Sequence, residues 1–532
     1  MKRTLSLHIF LLIALSTLCQ VHVTVGSPDS WSIQELAPYV GQTVEFDVPI
    51  VVCSNSSRLV VSPWRMYVPE GQGVSGSSAY TTASHINGSC GFTLTGVSEY
   101  HRCGEKIYHL QAYVQSTSEL SFVSGEWRGN TRVDLEKGIP DVGDYRLLVC
   151  GFNVENYFVV NYGSLGARNE SQHQAQREKI SKALAKINAD IFGLVELEQG
   201  NEAIQEIVND LNANLPGRHY AFFHESSAAE AFQKADYVYD ADKVEPIGQP
   251  SVINTEVQNR KRMVCFREKA TGEKFIFSIN HFKAMNTGDE YRRVNEARAV
   301  VNFYKTYHNN NSVRDNDLLV MGDLNCHAFT SPIAVFTDNG MIDLHRAFHA
   351  DSSYSYRTRG GNQTSYIDHA LANSTLYKQV TGMAVYHINS DENDDYNYKY
   401  SSDRTMFRCS DHDPVLVGLK LDSTLSGDPY FSGDNFGQDS LTFYYPYAPG
   451  EEELNPKMYF DIYTISGFPI CAPTPIEFYG MKPEEHKKYY TFSSDNPKLP
   501  DEIKRFLPLP SGLYVIHIYY NGNVKNHKLI VR

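Results

Sequence analysis

Several apolar runs in this chain lead directly into a polar residue that would be costly to bury without a partner. They lie between Tyr145 and Leu421 and read "YRLLVCGFNV", "DIFGLVELE", "EKFIFSINHF", "NDLLVMGDLN", "TSYIDHALAN" and "DPVLVGLKL". Between the first two lies "SQHQAQREKISKALAKINAD", whose apolar residues recur at helical spacing: Ile180, Ala183, Leu184 and Ile187. Strands that alternate with helices indicate a layered α/β fold, in which strand ends carry the sites.

The chain divides into three patterned segments. Residues 27–140 contain short alternating runs separated by Gly, Ser and Asn, which is typical of an all-β domain. Residues 145–421 form the α/β segment, after the linker-like "GIPDVGD". Residues 422–532 open with a Gly-, Ser- and Pro-rich stretch and end in strand-like runs, with Asn521-Gly522 as a hairpin turn.

The first 26 residues have the pattern of a secretory leader, with a basic start and then an apolar core. Leu18 before Cys19 is not the small residue that a lipid anchor requires, so lipidation is disfavoured. No other stretch approaches the roughly 20 apolar residues that cross a bilayer. We therefore expect no membrane span and a protein that is secreted or held at the cell surface after leader cleavage.

The net charge and the cysteines restrict the kinds of binding site and cross-link that the protein can contain. The net charge of −14 gives no long-range support to nucleic-acid binding, so phosphate contacts must rely on a local patch or a metal ion. The cysteines lack the C-x-x-C spacing of zinc sites. Export permits one disulfide bond among Cys53, Cys90 and Cys103, and the remaining cysteines fit buried apolar positions.

The first three motifs each have a structural and a functional interpretation. Asn153 at the end of "CGFNV" is a common turn former. Glu196 in "GLVELE" is costly in a buried run unless it is paired or binds a metal, whereas Glu198 should lie nearer the solvent. His281 in "SINHF" is by itself more typical of a structural histidine than of a ligand.

The remaining three motifs place charged or amide side chains where they need a specific partner. Asp323 and Asn325 in "GDLN" share one face at a strand end, which suits either an Asx turn or contacts to a water and a phosphate. Asp368 interrupts an apolar strand and needs a partner. "RCSDHDPV" places His412 beside Asp411 just before a strand.

In this order, "FNVENYF", "GLVELE", "NHFKA", "GDLN", "YIDHALAN" and "SDHDPV" resemble the endonuclease/exonuclease/phosphatase superfamily, and they look most like its secreted bacterial nucleases. The resemblance implies an α/β fold: a four-layer α/β sandwich that hydrolyses phosphodiester bonds of extracellular DNA, with RNA as a second substrate class. The start "SIQELAPYVGQTVEFDVPIVV" looks like an OB-like β-barrel, which either guides a nucleic-acid strand through stacking aromatics or is a purely structural β-domain. The end resembles the β-sandwich sorting domain of type IX secretion in Bacteroidetes.

The same resemblance implies residue roles at a metal centre. Glu196 would be the main ligand of Mg²⁺, with Asn153 nearby and Asp411 contributing to the site. Oxygen ligands suit Mg²⁺, with Mn²⁺ or Ca²⁺ as alternatives, rather than zinc.

Five further residues are assigned to the phosphate and the attacking water by this resemblance. Asp323 and Asn325 would position the water and the phosphate. His412 would bond the scissile phosphate or transfer a proton, with Asp368 holding its imidazole in the useful tautomer. His281 would be the second histidine that flanks the phosphate.

Two stretches depart from the family pattern. "DYVYDADKV" keeps Tyr239 as a substrate contact but lacks the arginine that often follows, so Arg260 or Arg262 is expected to supply it. The acidic stretch at 390–403, "SDENDDYNYKYSSD", is either a solvated loop or a structural Ca²⁺ site.

Other functions fit the same residues. A phosphomonoesterase or a phospholipid phosphodiesterase would use the same constellation. A surface protein that binds DNA without cutting it is a third hypothesis, disfavoured because every signature residue is present. The expected partners are DNA or RNA and the type IX secretion machinery, and the expected state is a monomer. Cleavage from ends or within strands is left open.

Overall fold

A computed structural model of the chain describes residues 21–531, with gaps at 57, 164, 227–229, 256–259, 287, 311, 314, 350–351, 359–361, 422–429, 433–440, 447–457, 465–468, 479, 483–486, 494, 505–508, 510–511 and 521–522. Most of the predicted leader and the predicted Asn521-Gly522 turn lie outside the described residues. The chain splits into two compact units. The first unit holds residues up to 372 together with 380–420, and the second holds 373–379 and 421–532.

The N-terminal part of the first unit contains a closed five-stranded barrel. Its strands pair in the order β3-β4-β5-β7-β6, and β6 pairs back onto β3; only β5 and β7 are parallel. The seven strands of this sheet are β1 (Val21–Val23), β2 (Thr43–Phe46), β3 (Ile50–Asn55), β4 (Leu59–Ser62), β5 (Phe92–Thr95), β6 (Lys106–Ser116) and β7 (Glu119–Arg128). Helix α1 (Ser78–Ser89) and two 3-10 helices, Ile33–Tyr39 and Pro69–Gly71, complete this part.

One sequence expectation for the N-terminal part needs correction. Strand β1 pairs with β2 at the edge of this sheet, outside the closed barrel, and buries Val23; the leader over residues 1–26 stays a prediction. The described cysteines are all free thiols, including Cys53, Cys90 and Cys103. Burial raises the pKa of the Cys53 thiol to about 12, which lowers the reactivity of that thiol.

The rest of the first unit is built on two six-stranded mixed sheets. Their orders are β10-β11-β9-β8-β21-β20 and β12-β13-β14-β15-β19-β16. The strands are β8 (Leu147–Tyr157), β9 (Ile191–Gln199), β10 (Tyr220–Phe222), β11 (Glu230–Asp240), β12 (Val244–Val252), β13 (Lys261–Glu268), β14 (Lys274–His281), β15 (Leu318–Asp323), β16 (Met341–Asp343), β19 (Asp368–Asn373), β20 (Val380–Val385) and β21 (Val415–Leu419). A small hairpin pairs β17 (Tyr356–Arg357) with β18 (Thr364–Ser365).

Six helices accompany these sheets: α2 (Arg132–Lys137), α3 (Glu170–Ile187), α4 (Glu202–Asn214), α5 (Glu290–Tyr307), α6 (Ser331–Thr337) and α7 (Leu344–His349). The predicted helix is α3: Asn169 caps its start, Asn188 ends it in the left-handed conformation, and its four predicted apolar residues are buried. Helices α3 and α4 share an apolar cluster with the first sheet, and α5 and α6 share one with the second.

The two sheets come close where small residues face large ones. A Cβ on Gly151 would lie 3.2 Å from the Met321 side chain, and one on Gly193 would lie 2.7 Å from Phe277 and Ile279. The protein is therefore mixed α/β, as the sequence predicts; its ordering into four layers stays a prediction.

The second unit consists mainly of two four-stranded antiparallel sheets, β22-β23-β27-β26 and β25-β24-β28-β29. Its elements are α8 (Ser374–Tyr377), β22 (Tyr430–Ser432), β23 (Leu441–Pro446), β24 (Met458–Thr464), β25 (Pro469–Pro475), β26 (Gly480–Lys482), β27 (Lys487–Phe492), α9 (Asp501–Lys504), β28 (Gly512–Tyr520) and β29 (Asn523–Val531). The two sheets share one apolar cluster, and the predicted β-sandwich sorting domain stays a prediction. Among the described helices, none is long and apolar enough to cross a membrane.

The acidic stretch 390–403 is buried at residues 390–393 and 397–398 and exposed at 394–395, 400 and 402, so it is only in part the solvated loop that the sequence allows. Asp391 pairs with Arg65, and Glu392 pairs with Arg102 and Arg132. Both carboxylates have side chains that are 0% exposed. Guanidinium groups from the barrel side, rather than water or Ca²⁺, therefore neutralise them.

Candidate active site

Five of the predicted residues converge because of strand order and direction. Asn153 on β8 and Glu196 on β9 lie on adjacent parallel strands. His281 ends β14 and pairs with Asp323, which ends the parallel strand β15. Asp368 begins the antiparallel strand β19 opposite Asp323. The ends of five strands from two sheets thus place these side chains at one edge.

The backbone at this edge adopts unusual conformations. Four residues that are not glycine have positive φ: Glu155 (54°), Asn156 (52°), Glu196 (66°) and Asn325 (48°). Such conformations cost on the order of 1–3 kcal/mol each and persist where the surroundings hold them. Local hydrogen bonds do so here: the Asn156 N–H donates to Glu196 Oε2 at 2.9 Å, and the Glu155 N–H donates to Asn153 Oδ1 at 2.9 Å.

His412 is held by Asp368, as the sequence predicts. Its Nδ1 lies 2.8 Å from Asp368 Oδ2, which also accepts a hydrogen bond from Ser355 Oγ at 2.7 Å. Burial alone would lower the pKa of His412, but the surrounding carboxylates, led by Asp368, outweigh it and raise that pKa well above its usual value. This favours the imidazolium form of His412, whose Nε2 lies 3.9 Å from both Asp323 Oδ2 and Asp411 Oδ1.

Asp323 lies at the centre of the cluster. Its Oδ2 accepts a hydrogen bond from Asn153 Nδ2 at 3.1 Å and lies 3.7 Å from His281 Nε2 and 3.9 Å from His412 Nε2. Burial raises the pKa of this carboxyl group to about 7. Asp323 can therefore exchange a proton near neutral pH, which is what a general base requires.

Asn325 forms the Asx turn that the sequence allows, and its contact with a water or a phosphate stays a prediction. Its N–H donates to Asp323 Oδ1 at 2.9 Å, which is an Asx turn. Its Nδ2 donates to the Phe282 carbonyl at 3.2 Å, which leaves a second N–H of the amide for another acceptor. The turn itself therefore holds the amide beside the Asp323 carboxylate.

His281 and Arg260 form a second pair at the cluster. Arg260 Nη2 lies 2.7 Å from Nδ1 and 2.9 Å from Nε2 of His281, and it also bonds Gln233. Burial and then the Arg260 charge hold the pKa of His281 well below its usual value, so this imidazole is neutral. Of the two arginines that the sequence offers, Arg260 is the one beside a predicted catalytic residue.

The donor set fits a hard divalent cation. Glu196, His281 and Asp323 each offer one potential ligand atom, and these three atoms lie within 4.8 Å of one another. Burial and then the charge of Asp411 raise the pKa of Glu196, so buried carboxylates repel one another here and a cation would relieve the repulsion. Glu196, with Asp411 and the Asn153 amide oxygen, would hold such an ion, and oxygen donors suit Mg²⁺, Mn²⁺ or Ca²⁺.

Two sequence expectations are misplaced. Tyr239 pairs with Ile191 at the opposite end of β9 from Glu196, and its ring packs 5.2 Å from Phe223. Because β11 runs antiparallel to β9, the carboxyl end of β11 lies away from the cluster. Glu198 is fully buried rather than near solvent.

The burial of Glu198 has a structural cause. Its carboxylate accepts three backbone N–H groups from residues 159–161 at 2.7 to 2.8 Å and the Asn161 side-chain amide at 2.6 Å. These contacts satisfy the charge without a metal. Glu198 therefore fastens the loop that follows β8.

Sequence reasoning missed three supporting residues. Ser355 bonds Asp368, Gln233 bonds Arg260, and Glu155 lies buried two residues after Asn153. Only Glu155 carried a signal, because a carboxylate within the buried run "GFNVENY" needs a partner. Ser410 also has a local role, since its Oγ donates to the Asn153 carbonyl at 2.7 Å.

Residues 151–412 match the model of the endonuclease/exonuclease/phosphatase family, whose members hydrolyse phosphoester bonds. Similar solved structures include an endonuclease/exonuclease/phosphatase of Bacteroides vulgatus (19% identity, TM-score 0.38, 52% of this chain, 99% of that chain). Others are a mannosyl-6-phosphatase of Bacteroides thetaiotaomicron (18%, 0.37, 52% and 100%) and the human Nocturnin catalytic domain (14%, 0.36, 52% and 94%). No curated protein sequence matches significantly. The match to this family thus extends from Gly151 to His412 and covers just under half of the chain.

Proposed function

We propose that the protein is an exported, divalent-metal-dependent nuclease that hydrolyses phosphodiester bonds of DNA, with RNA as a second substrate class. The observation that carries this proposal is the Asp368–His412 pair, joined at 2.8 Å, whose Nε2 faces the Asp323 carboxylate 3.9 Å away. A cation and a proton acceptor at the same strand edge are what in-line attack of water on a phosphodiester requires.

The residues divide the work. Asp323 accepts a proton from the attacking water, and Asn325 and His281 orient the water and the phosphate. The His412 imidazolium donates to a non-bridging oxygen of the phosphate, where negative charge grows in the transition state. A divalent ion bound at Glu196 would supply further neutralisation of that charge.

Nucleic acid is the proposed substrate because of the barrel. A closed barrel in which the first strand pairs with the second and fourth, and the third pairs in parallel with the fifth, supports the OB-like domain that the sequence predicts. OB-folds bind strands through aromatic stacking and a backbone-tracking groove. The overall charge of −14 favours binding that depends on a metal ion rather than on a broad basic face.

The test is incubation of purified protein with circular and linear DNA in the presence of Mg²⁺, Mn²⁺ or Ca²⁺, with and without EDTA. We expect metal-dependent cleavage, and nicking of circular DNA would identify internal cutting. The variant His412→Gln should lose activity, whereas His109→Gln, at a side chain 70% exposed, should keep it. Hydrolysis confined to phosphomonoesters or sphingomyelin, or DNA binding without cleavage, would replace the nuclease proposal.

Export is the second part of the proposal. The basic and apolar start and the strand-rich end support secretion through a cleaved leader and the type IX route. Fusion of residues 422–532 to a reporter in a Bacteroidetes host should carry the reporter out of the cell. Retention of that reporter in the periplasm would refute the sorting role.

A further inference from the structure

The turn at 153–156, which supports Glu196, is held from both sides. On the site side, Glu196 Oε2 accepts the Asn156 N–H at 2.9 Å. The preceding residue, Glu155, has a buried carboxylate that lies within reach of the Asp411 charge and accepts hydrogen bonds from a pair of donors. Asn397 Nδ2 donates to Glu155 Oε2 and Lys399 Nζ donates to Oε1, each at 2.7 Å.

Both donors come from the stretch 390–403, which the sequence marks as an acidic insertion. Tyr398 adds a third bond from its hydroxyl to the Glu155 carbonyl at 3.4 Å. Asn397 is 4% exposed and Tyr398 is 2% exposed, so this part of the stretch is packed rather than solvated. Two consecutive residues with positive φ, Glu155 and Asn156, are thereby clamped in a conformation that would otherwise relax.

The same stretch is also anchored to the barrel and to the first residue of α2, Arg132. Arg132 donates to Glu392 at 2.6 Å and to Asp403 at 3.0 Å, and Arg102 Nε lies 2.5 Å from Glu392. Asn130 Nδ2 donates to Asp391 Oδ2 at 2.8 Å. Barrel-side residues thus fix residues 391–392, and the following residues reach the metal-site turn.

We propose that Asn397 and Lys399 are positioning residues for the metal site, and that the barrel holds them in place through residues 391–392. The inference rests on the proposed metal-dependent function, because it concerns how Glu196 is presented to the ion. It gives the acidic insertion a role that neither a solvated loop nor a Ca²⁺ site would have.

The charge of Lys399 makes the proposal sharply testable. If Lys399 acted only as a nearby positive charge, its removal would tighten the binding of a divalent cation, because like charges repel. If it positions Glu155 and so Glu196, its removal should weaken binding. Loss of a supporting contact behind a metal ligand typically costs about 10–100-fold in metal affinity.

The experiment measures Mn²⁺ affinity of the full chain by calorimetry, without substrate. We expect Lys399→Met and Asn397→Ala to weaken Mn²⁺ binding about tenfold, Lys399→Arg to restore most of it, and Arg132→Gln to weaken it less. Lys420→Met, in an exposed pair with Asp144, and Asn339→Ala, at an exposed amide, are the matched controls. Melting temperatures identify variants that fail to fold. If Lys399→Met or Asn397→Ala fails to fold, the Mn²⁺ affinities of Lys399→Arg and Arg132→Gln provide the test instead.

Unchanged or tighter Mn²⁺ binding in folded Lys399→Met would overturn the proposal, as would a wild-type protein that binds no Mn²⁺. Failure of the nuclease proposal looks different. In that case the wild-type protein would cleave no DNA, while the ranking of Mn²⁺ affinities among the variants would still follow the order given above.

Discussion

At the scale of single residues, the two oxygens of the Asp368 carboxylate differ in their hydrogen-bond partners. Its Oδ2 accepts from both His412 and Ser355, while its buried Oδ1 has no hydrogen-bond partner among the described residues. A carboxylate in this position stabilises the imidazolium form of His412 and fixes the proton on Nδ1. An amide in its place would carry no charge to stabilise the imidazolium and would hold the Nδ1 proton only when its oxygen, rather than its NH₂ group, faces the ring.

Asp368→Asn should therefore lower kcat by roughly 10²–10⁴-fold with little change in KM, because His412 would lose its charge and its correct tautomer. Steady-state kinetics on a DNA substrate measure the effect. The control is Asp242→Asn, whose side chain is 60% exposed and which should act like the wild type. A loss of less than fivefold would show that Asp368 does not govern His412.

The raised pKa of Asp323 predicts how the stability of the protein depends on pH and on bound metal. Its pKa of about 7 lies above that of an unfolded aspartate, so the native state retains a proton that the unfolded state has lost between about pH 4 and 7. Stability of the metal-free protein should therefore fall as pH rises through this window, relative to Asp323→Asn. Melting curves across this range check the sign.

Binding of a divalent metal ion should reverse this loss of stability at higher pH. A divalent ion requires deprotonated carboxylates, so saturating Mn²⁺ should raise the melting temperature more at pH 8 than at pH 5, and EDTA should remove the gain. Scanning fluorimetry at both pH values is sufficient. Equal gains at the two pH values would contradict an ion bound through these carboxylates.

At the scale of secondary-structure elements, strand β15 depends on Gly322. Its φ is 124°, and a Cβ there would lie 2.0 Å from the Asn280 carbonyl of the neighbouring strand. A side chain would push β14 and β15 apart just where His281 and Asp323 pair.

Gly322→Ala should destabilise the protein by about 2–4 kcal/mol and abolish activity, since backbone strain and a backbone clash add together. Chemical denaturation measures the first effect. Gly217→Ala is the matched control, because a Cβ at that glycine would meet nothing within 4 Å. Wild-type stability of Gly322→Ala would show that the strand can shift without harm.

The sequence predicted those elements whose signal is local. The apolar runs correspond to β8, β9, β14, β15, β19 and β21, and the helical spacing corresponds to α3. The position of Tyr239 was misjudged because strand direction within a sheet is set by distant partners. Glu198 was misjudged for a related reason: the loop that satisfies it lies about 40 residues earlier, at 159–161.

At the scale of the whole first unit, the barrel and the α/β sheets are joined by buried ion pairs. Glu392 is shared by Arg102 and Arg132 and also accepts from Tyr100 at 2.9 Å. No local pattern could have revealed this, since the partners lie more than 250 residues apart. An acidic run read by itself is typical of solvated surface.

Glu392→Gln should destabilise the first unit by about 3–5 kcal/mol, because two arginines would lose a buried counter-charge. Thermal and denaturant unfolding of the full chain measure the loss. Asp144→Asn, at a side chain 91% exposed in its pair with Lys420, should change stability very little. An unaltered melting temperature for Glu392→Gln would show that the pair adds no net stability.

The separation of Arg65 and Asp391 also sets the order in which the protein can be completed. They stand 326 residues apart. At about 5–20 residues per second, a ribosome needs roughly 15–65 seconds to make the intervening chain. Until that segment has been made, Arg65 lacks the counter-charge of Asp391. The ion pairs between the barrel and the α/β sheets can therefore form only after nearly all of the first unit has been made.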